Sequence, residues 1–167
     1  VLGYGSRRLS WSNNRRLQIA FLEGETQQLN IMKTHKVGII MNGVTGRMGT
    51  NQHLMRSIVE IIKQGGVWVN PEETIIPIPI LVGRNETKLK ELSARSGIDR
   101  WTTDLESVMA DPEFSIYFDA QSTLRRADAV KAAAKAGKHV YCEKPTAVDT
   151  QTAIDLHNFC VDKGVKS

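Results

Sequence analysis

The stretch "KVGIIMNGVTGRMG" (residues 36–49) decides how the rest of this chain is interpreted, because an apolar run leads directly into three glycines spaced by three. The apolar run ends at a glycine, as is typical of a buried parallel strand. Four apolar residues follow at helical spacing: Leu54, Ile58, Ile61 and Ile62. The pair Gly65–Gly66 ends this predicted helix. The glycines therefore occupy a turn between a strand and a helix.

Such a turn has two interpretations, a phosphate-binding loop or a purely structural tight turn. Glycines let the backbone approach a ligand closely, and the free N–H groups at a helix start attract an anion. The usual dinucleotide pattern is G-x-G-x-x-G. Here Gly46 and Gly49 occupy its second and third glycine positions, while Val44 stands at the first and Gly43 lies one place earlier. The strand–turn–helix context favours phosphate binding, and a Walker A loop is excluded because no Gly-Lys-Ser/Thr follows.

Downstream, strands and helices are predicted to alternate with short links. The further strand candidates are residues 78–83, the weak segment "RWTT" (100–103), residues 115–120 and residues 139–143. Parallel strands need a crossover after each strand, so this alternation predicts an α/β fold with a doubly wound parallel sheet, Rossmann-like, of five strands. We expect the chain to be truncated as a sixth strand begins, at "VKS".

Local signals predict where the helices begin and which side faces inward. Asn85 and Asp149 are N-cap candidates, and Thr103 with Glu106 predicts a capping box. The helix after residue 120 is expected to turn four residues inward: Leu124, Ala127, Val130 and Ala134. The longer link "KQGGVWVNPEET" (63–74) is interpreted as an insert.

Arg84 follows the second predicted strand, at the position where dinucleotide-binding folds usually carry an acid for the ribose 2′-OH. A guanidinium there suits a 2′-phosphate through bidentate, charge-assisted bonds, which would favour NADP over NAD. A solvated arginine after a strand is the other interpretation, and the sequence leaves the two open.

Composition restricts the class of protein. With 41% hydrophobic and 24% charged residues over 167 positions, the chain has the values of one globular domain. The net charge of +4 owes much to four arginines within residues 1–22, so no nucleic-acid partner is indicated. No apolar run is long enough to span a membrane, and two cysteines form no disulfide or zinc pattern. We expect a cytoplasmic protein with a disordered extension at residues 1–31 and a dinucleotide-binding domain at 32–167.

The segment "AAAKAGKHVYCEKPTA" (132–147) carries a more specific signal. Glu143-Lys144-Pro145 directly after a fifth parallel strand, combined with the glycine turn after the first, resembles the Gfo/Idh/MocA oxidoreductases over residues 36–167. That resemblance implies an N-terminal Rossmann domain that binds NADP or NAD, and a sugar or polyol-like substrate.

The resemblance also implies where the cofactor is bound. The pyrophosphate would lie among the residues of the glycine turn: Gly43, Thr45, Gly46, Arg47, Met48 and Gly49. Arg84 and Asn85 would lie by the adenosine ribose, and Ser122 and Thr123 by the nicotinamide ribose. The nicotinamide end would be lined by the tripeptide Glu143, Lys144 and Pro145.

Lys144 is the predicted catalytic residue. Hydride transfer from a carbinol carbon builds negative charge on the substrate oxygen, which a nearby ammonium stabilises. Pro145 would restrict the backbone of Lys144 to extended geometry and so direct its side chain. No metal is expected.

Family members carry a C-terminal domain with the substrate pocket and usually a catalytic histidine. Four histidines occur in this chain, none of which matches it, and all are interpreted as structural or solvated: His35, His53, His139 and His157. We therefore expect the chain alone to bind cofactor without turnover.

Three alternatives remain. A stand-alone, non-enzymatic dinucleotide-binding module would work without a second domain, and a truncated product would fold poorly. The motif "GVTGRMG" is also similar to dihydrodipicolinate reductases, but their paired-histidine segment has no counterpart here. The oligomeric state stays open.

Overall fold

A computed structural model describes residues 32–167; the predicted extension at residues 1–31 lies outside the described residues. The strands are β1 (Lys33–Asn42), β2 (Val67–Asn70), β3 (Glu73–Val82), β4 (Trp101–Thr102), β5 (Phe114–Asp119) and β6 (His139–Cys142). The helices are α1, which is π-helical over Gly49–Ile58 and α-helical over Val59–Lys63, then α2 (Glu86–Ser96), α3 (Leu105–Ala110), α4 (Thr123–Lys135) and α5 (Thr150–Asp162).

The strands of the described chain form one mixed, mostly parallel sheet in the order β2-β3-β1-β5-β6, with β4 also paired to β3. β1 lies between β3 and β5, parallel to both. The carboxyl ends of β1, β3, β5 and β6 therefore meet at one edge of the sheet, as the alternation of elements predicted. Beside β6, at one end of the strand order, the Val140 N–H donates to the Lys166 carbonyl over 2.7 Å, so the last described residues run next to this strand.

The sequence analysis interpreted the link at residues 63–74 as an insert, but part of this link belongs to the sheet. Val67–Asn70 forms β2, which pairs antiparallel with the first residues of β3. The sheet is consequently not wholly parallel. All four residues of β2 are exposed, so apolar periodicity could not identify this strand.

Helices cover both faces of the sheet, which makes the fold doubly wound. Ile40 and Tyr117 point toward the core beneath α3, α4 and α5, while their neighbours Met41 and Phe118 point toward α1 and α2. Successive strand residues face opposite sides, so each strand contributes to both cores.

The first helix differs from the predicted α-helical register. Of the four predicted inward residues only Leu54 is fully buried; Ile58 is half-buried and Val59, five residues after Leu54, is buried in its place. The Val59 N–H donates to the Leu54 carbonyl, the i→i+5 bond of a π-helix. The wider turn explains why a spacing of five replaces a spacing of four.

Most of the predicted helix limits are confirmed, with one exception. Asn85 and Asp149 accept hydrogen bonds from the N–H groups of Lys88 and Thr152, respectively. The capping box of Thr103 and Glu106 was wrong. The carboxylate of Asp104 caps α3 instead, accepting from the Ser107 N–H over 3.0 Å.

The prediction of which residues of α4 face inward was also partly wrong. Leu124 is 84% exposed, whereas Arg126 is 2% exposed and reaches beneath the helix. Val130 and Ala134 are buried as predicted, and Ala127 is half-buried. Arg126 is buried because a carboxylate, Asp119, is available to pair with it.

Candidate functional site

The glycine turn follows the carboxyl end of β1, which lies beside the carboxyl ends of β3 and β5. Gly43 has φ +75, and its N–H donates to the Val82 carbonyl of β3 over 3.1 Å. A Cβ at Gly43 would lie 2.7 Å from the Gln121 nitrogen, directly after β5. Gly49 is similarly enclosed, with Val44 Cα 2.9 Å from its hypothetical Cβ. Both glycines allow the backbone to pack closely, and Gly43 also allows the left-handed conformation.

The middle of the turn is open. Among the described residues, a Cβ at Gly46 would meet only the Gly43 carbonyl, at 3.3 Å, and Gly46, Arg47 and Met48 are all exposed. Two N–H groups here already have backbone partners: that of Gly46 donates to the Gly43 carbonyl over 3.1 Å, and that of Thr50, near the start of α1, donates to the Gly46 carbonyl over 2.8 Å. An anion would therefore meet the other N–H groups of the turn. The residues predicted for a pyrophosphate thus form an accessible backbone surface at the positive end of a helix.

Arg84 and Asn85, predicted to lie by the adenosine ribose, differ in whether their side chains already make a hydrogen bond. Arg84 is exposed and, among the described residues, its guanidinium makes no hydrogen bond or ion pair. The Asn85 side-chain oxygen already accepts from the Lys88 N–H over 2.9 Å, so only its amide NH₂ is free for a ligand.

A cavity of about 350 Å³ lies between the glycine turn and α2. Thr45 and Arg47 line it from the turn, and three charged residues line it from the helix: Lys88, Glu91 and Arg95. The sequence interpretation missed this basic face. Its signal was the spacing of Lys88, Glu91 and Arg95 by three and four residues, which places them on one side of a helix.

After β5, Ser122 is the N-cap residue of α4, but its hydroxyl makes no capping bond. It is exposed, and Thr123 beside it is half-buried. Both side chains stand at the sheet edge next to the glycine turn, and the Ser122 hydroxyl is free to bind a ligand.

Beneath this edge lies a buried polar network that the sequence interpretation did not identify. Asp119 accepts from the Tyr117 hydroxyl over 2.7 Å, and Tyr117 in turn accepts from the Asn42 amide over 2.8 Å. Burial, followed by the charge of Asp119, holds the pKa of Tyr117 far above its ordinary value. The hydroxyl therefore remains a donor, and the network joins the ends of β1 and β5.

Arg126 connects this network to the segment after β6. Its Nε donates to Asp119 over 3.1 Å, its Nη2 to the Gln121 carbonyl over 2.9 Å, and its Nη1 to the Pro145 carbonyl. The guanidinium thus ties Pro145 to the end of β5.

Glu143 and Lys144 follow β6 at the same edge. The Glu143 N–H donates to the Asp119 carbonyl over 2.9 Å, and the Lys144–Pro145 peptide is cis. Lys144 is exposed, and within residues 32–167 its ammonium makes no hydrogen bond or ion pair. The amine is therefore available to a substrate.

His53 was interpreted as structural or solvated, but its ring nitrogen contacts the Glu143 carboxylate across 90 residues of sequence. That hydrogen bond, together with one from the Lys144 N–H, holds the pKa of Glu143 below its usual range. No local pattern could have revealed a contact over this separation.

A larger cavity of about 590 Å³ lies on the other side of β6, against α4 and α5. Its lining includes Val140, Leu156 and Cys160, and no Asp, Glu, Lys or Arg. Among the described residues, its lining therefore has no arginine or lysine to bind the phosphates of a dinucleotide. Cys142 also lines it and is half-buried.

The described residues include neither a metal-binding cluster nor a membrane-spanning helix. Within residues 32–167, no group of three or more His, Cys, Asp or Glu side chains could hold a metal ion. No helix in the same part of the chain is long and apolar enough to cross a bilayer.

Comparison with known proteins identifies the fold. Residues 37–167 match the Gfo/Idh/MocA family, described as an oxidoreductase family with an NAD-binding Rossmann fold. The chain belongs to this family. The predicted resemblance is thereby confirmed, as is the predicted binding of a nicotinamide dinucleotide by its Rossmann domain.

Among related proteins, D-xylose dehydrogenase of Paenarthrobacter nicotinovorans is 47% identical over 133 residues, which are 80% of this chain and 34% of that protein. Levoglucosan dehydrogenase of Pseudarthrobacter phenanthrenivorans is 29% identical over 135 residues, 80% of this chain and 32% of that one. A solved structure of a levoglucosan dehydrogenase with NADH and levoglucosan superposes with a TM-score of 0.62 at 26% identity, over 80% of this chain and 34% of that chain.

This Gfo/Idh/MocA chain thus spans about a third of the length of the relatives that it matches. The matched range contains every predicted site residue, from Gly43 to Pro145. All of them lie at the carboxyl edge of the sheet, where open α/β folds bind their ligands.

Proposed function

We propose that residues 32–167 bind NADP, or NAD more weakly, across the carboxyl edge of the sheet as part of an oxidoreductase acting on a sugar or polyol-like substrate. The observation that carries this proposal is the common position of the glycine turn and of Glu143-Lys144-Pro145, which follow the carboxyl ends of β1 and β6, two parallel strands with β5 between them. A dinucleotide lying across this edge would contact both.

Each half of the dinucleotide has a proposed set of contacts. The turn residues Gly43 and Thr45–Gly49 hold the pyrophosphate, with Arg84 and Asn85 at the adenosine ribose. Ser122 and Thr123 hold the nicotinamide ribose, and Glu143, Lys144 and Pro145 line the nicotinamide end. Strand order supports this direction, because β3 and β6 lie on opposite sides of β1.

The preference for NADP is supported by charge. Arg84 is unpaired among the described residues, and the neighbouring cavity holds Arg47, Lys88 and Arg95 against a single acid, Glu91. A 2′-phosphate adds negative charge at this end of the dinucleotide, and arginine forks bind phosphate oxygens bidentately.

Lys144 is the proposed catalytic residue. The nicotinamide ring, when bound, accepts or donates the hydride. The Lys144 ammonium would stabilise the negative charge that develops on the substrate oxygen as its carbinol hydrogen leaves. The amine is exposed and makes no ion pair within residues 32–167, which supports that role, since an ammonium already held in an ion pair would stabilise a second anion less well.

The substrate class follows from relatives that are named for D-xylose and levoglucosan. The match covers only about a third of the length of those proteins, so we propose that the 167 residues alone bind cofactor without turnover. A donor without an oriented acceptor loses a positioning effect worth up to about 7–11 kcal/mol.

Calorimetric titration with NADPH and NADH tests the binding proposal. We expect NADPH to bind more tightly, and Arg84→Ala to weaken NADPH binding by about 1–3 kcal/mol while leaving NADH binding unchanged. A folded chain that binds neither nucleotide would refute the proposal and reduce the glycine segment to a structural turn.

The role of Lys144 is tested in a chimera that joins residues 32–167 to the remaining part of the D-xylose dehydrogenase relative. We expect NADP-dependent oxidation of D-xylose that Lys144→Met abolishes without loss of NADPH binding. Lys163→Met, at an exposed position after α5, is the matched control and should keep full turnover.

A further inference from the structure

His53 and Glu143 form a contact that joins the helix after the glycine turn to the segment after β6. The His53 Nε2 and Glu143 Oε1 atoms are hydrogen-bonded, with side chains only 21% and 15% exposed. An ionised carboxylate can only accept, so His53 Nε2 carries the proton and donates it. The two ends of the proposed cofactor site are thereby physically connected.

The direction of the His53 ring is set by packing. The ring lies against Phe118 with centroids 4.7 Å apart, and Phe118 stacks on Tyr141 at 5.6 Å. His53 also lies within the π-helical part of α1, a rare geometry that often occurs at functional sites. The imidazole is therefore a fixed donor, not a side chain that samples many rotamers.

The other carboxylate oxygen of Glu143 is also occupied. Oε2 accepts from the Lys144 N–H over 3.0 Å, while the Glu143 N–H donates to the Asp119 carbonyl. With both ends held, the carboxylate cannot rotate freely. Hydrogen bonding from His53 also lowers the pKa of Glu143, so the group stays ionised at neutral pH.

We propose that His53 is a positioning residue that fixes the Glu143 carboxylate for the nicotinamide half of the dinucleotide and keeps it from pairing with the Lys144 ammonium. This inference rests on the proposed function. Glu143 and Lys144 are adjacent and oppositely charged, so an unrestrained Glu143 could neutralise the amine that the substrate needs. Donation from His53 holds the carboxylate toward α1, and the Lys144 ammonium makes no hydrogen bond or ion pair within residues 32–167.

His53 would affect binding of the nicotinamide half of the dinucleotide and not of the ADP-ribose half. Ligands with and without nicotinamide therefore test its role. We would titrate the chain with NADH and with ADP-ribose, which lacks nicotinamide, and record the fluorescence of bound NADH. His53→Phe keeps an aromatic ring against Phe118 but removes the donor, whereas His53→Gln keeps a donor near the Nε2 position. Melting curves for each variant confirm that it is folded.

We expect His53→Phe to weaken NADH binding by about tenfold and to alter the fluorescence of bound NADH, with ADP-ribose affinity unchanged. His53→Gln should restore most of the NADH affinity. In a Glu143→Gln background, His53→Phe should have little further effect, because the two residues act through one contact.

Three results would overturn the inference: unchanged NADH binding in His53→Phe, equal losses for NADH and ADP-ribose, or an undiminished His53→Phe effect in the Glu143→Gln background. Failure of the wild-type chain to bind either ligand would refute the proposed function itself, and the inference with it. The two failures are therefore distinguishable.

Discussion

The Arg126 guanidinium and the Asp119 carboxylate form an ion pair that solvent does not reach, with Nε 3.1 Å from Oδ1 and exposed side-chain fractions of 2% and 0%. Arg126 also donates to the carbonyls of Gln121 and Pro145. A single side chain thus links the end of β5 to the proposed nicotinamide end of the site.

Arg126→Met should lower the free energy of unfolding by about 3–5 kcal/mol, because it leaves the Asp119 carboxylate buried without its partner. Denaturant titration measures the change. Lys63→Met is the matched control, since its ion pair with Glu60 is largely exposed, and it should cost less than about 1 kcal/mol. Equal effects of the two substitutions would show that Arg126 is not held by its buried contacts.

Gly43→Ala should destabilise the protein more than Gly97→Ala and should also weaken NADPH binding. Both glycines have positive φ, +75 and +73, so both substitutions carry the left-handed penalty of about 1–2 kcal/mol. At Gly43 the new Cβ would meet backbone, 2.7 Å from the Gln121 nitrogen, whereas at Gly97 no atom of the described residues lies within 4 Å. Thermal melts and calorimetry measure the two effects. Matching losses of stability at both positions would contradict a close approach at Gly43.

Lys88→Ala should weaken NADPH binding by about tenfold or more and leave NADH binding nearly unchanged, because the cavity beside the glycine turn would lose one of its three basic side chains. Lys90→Ala removes the same charge from the same helix, but Lys90 pairs with Glu86 and does not line the cavity. Titrations at two salt concentrations distinguish local contact from general attraction. If both variants lose NADPH affinity equally, the cavity has no specific role.

Cys142 and Cys160 should react slowly with a disulfide reagent at neutral pH, since burial raises the pKa of both thiols and reduces the thiolate fraction. The rate should rise steadily as the pH increases past the ordinary thiol range, and denaturant should release both thiols at once. Reaction of the Cys142→Ala and Cys160→Ala variants assigns each rate. We expect half-buried Cys142 to react first. A thiol that reacts completely within seconds at pH 7 would contradict this prediction.

Much of the fold could be predicted because its signals are local. Asn85 and Asp149 cap their helices through bonds to N–H groups three residues away, and Gly97 ends α2 through its own left-handed conformation. Parallel strands need a crossover connection, so the alternation of strands and helices also predicted that β1, β3, β5 and β6 run parallel, although it did not predict their order in the sheet. The Gfo/Idh/MocA resemblance rested on two short motifs whose positions relative to the strands could be read directly.

The errors have a common physical origin in contacts between distant residues. Leu124 was placed inward by helical spacing, yet Arg126 took the buried position because Asp119, on another element, compensates its charge. The π-helical turn of α1 similarly buries Val59, five residues after Leu54, against the sheet.

What the sequence by itself determined is therefore the set of elements, most of their limits and the positions of the candidate motifs, since these depend on interactions within a few residues. Only the tertiary structure decided that His53 meets Glu143, that Arg126 is buried on Asp119, and that Lys88 and Arg95 share a cavity with the glycine turn. Those pairings join residues up to 90 positions apart. They form only after the sheet brings the strand ends together, so no local pattern encodes them.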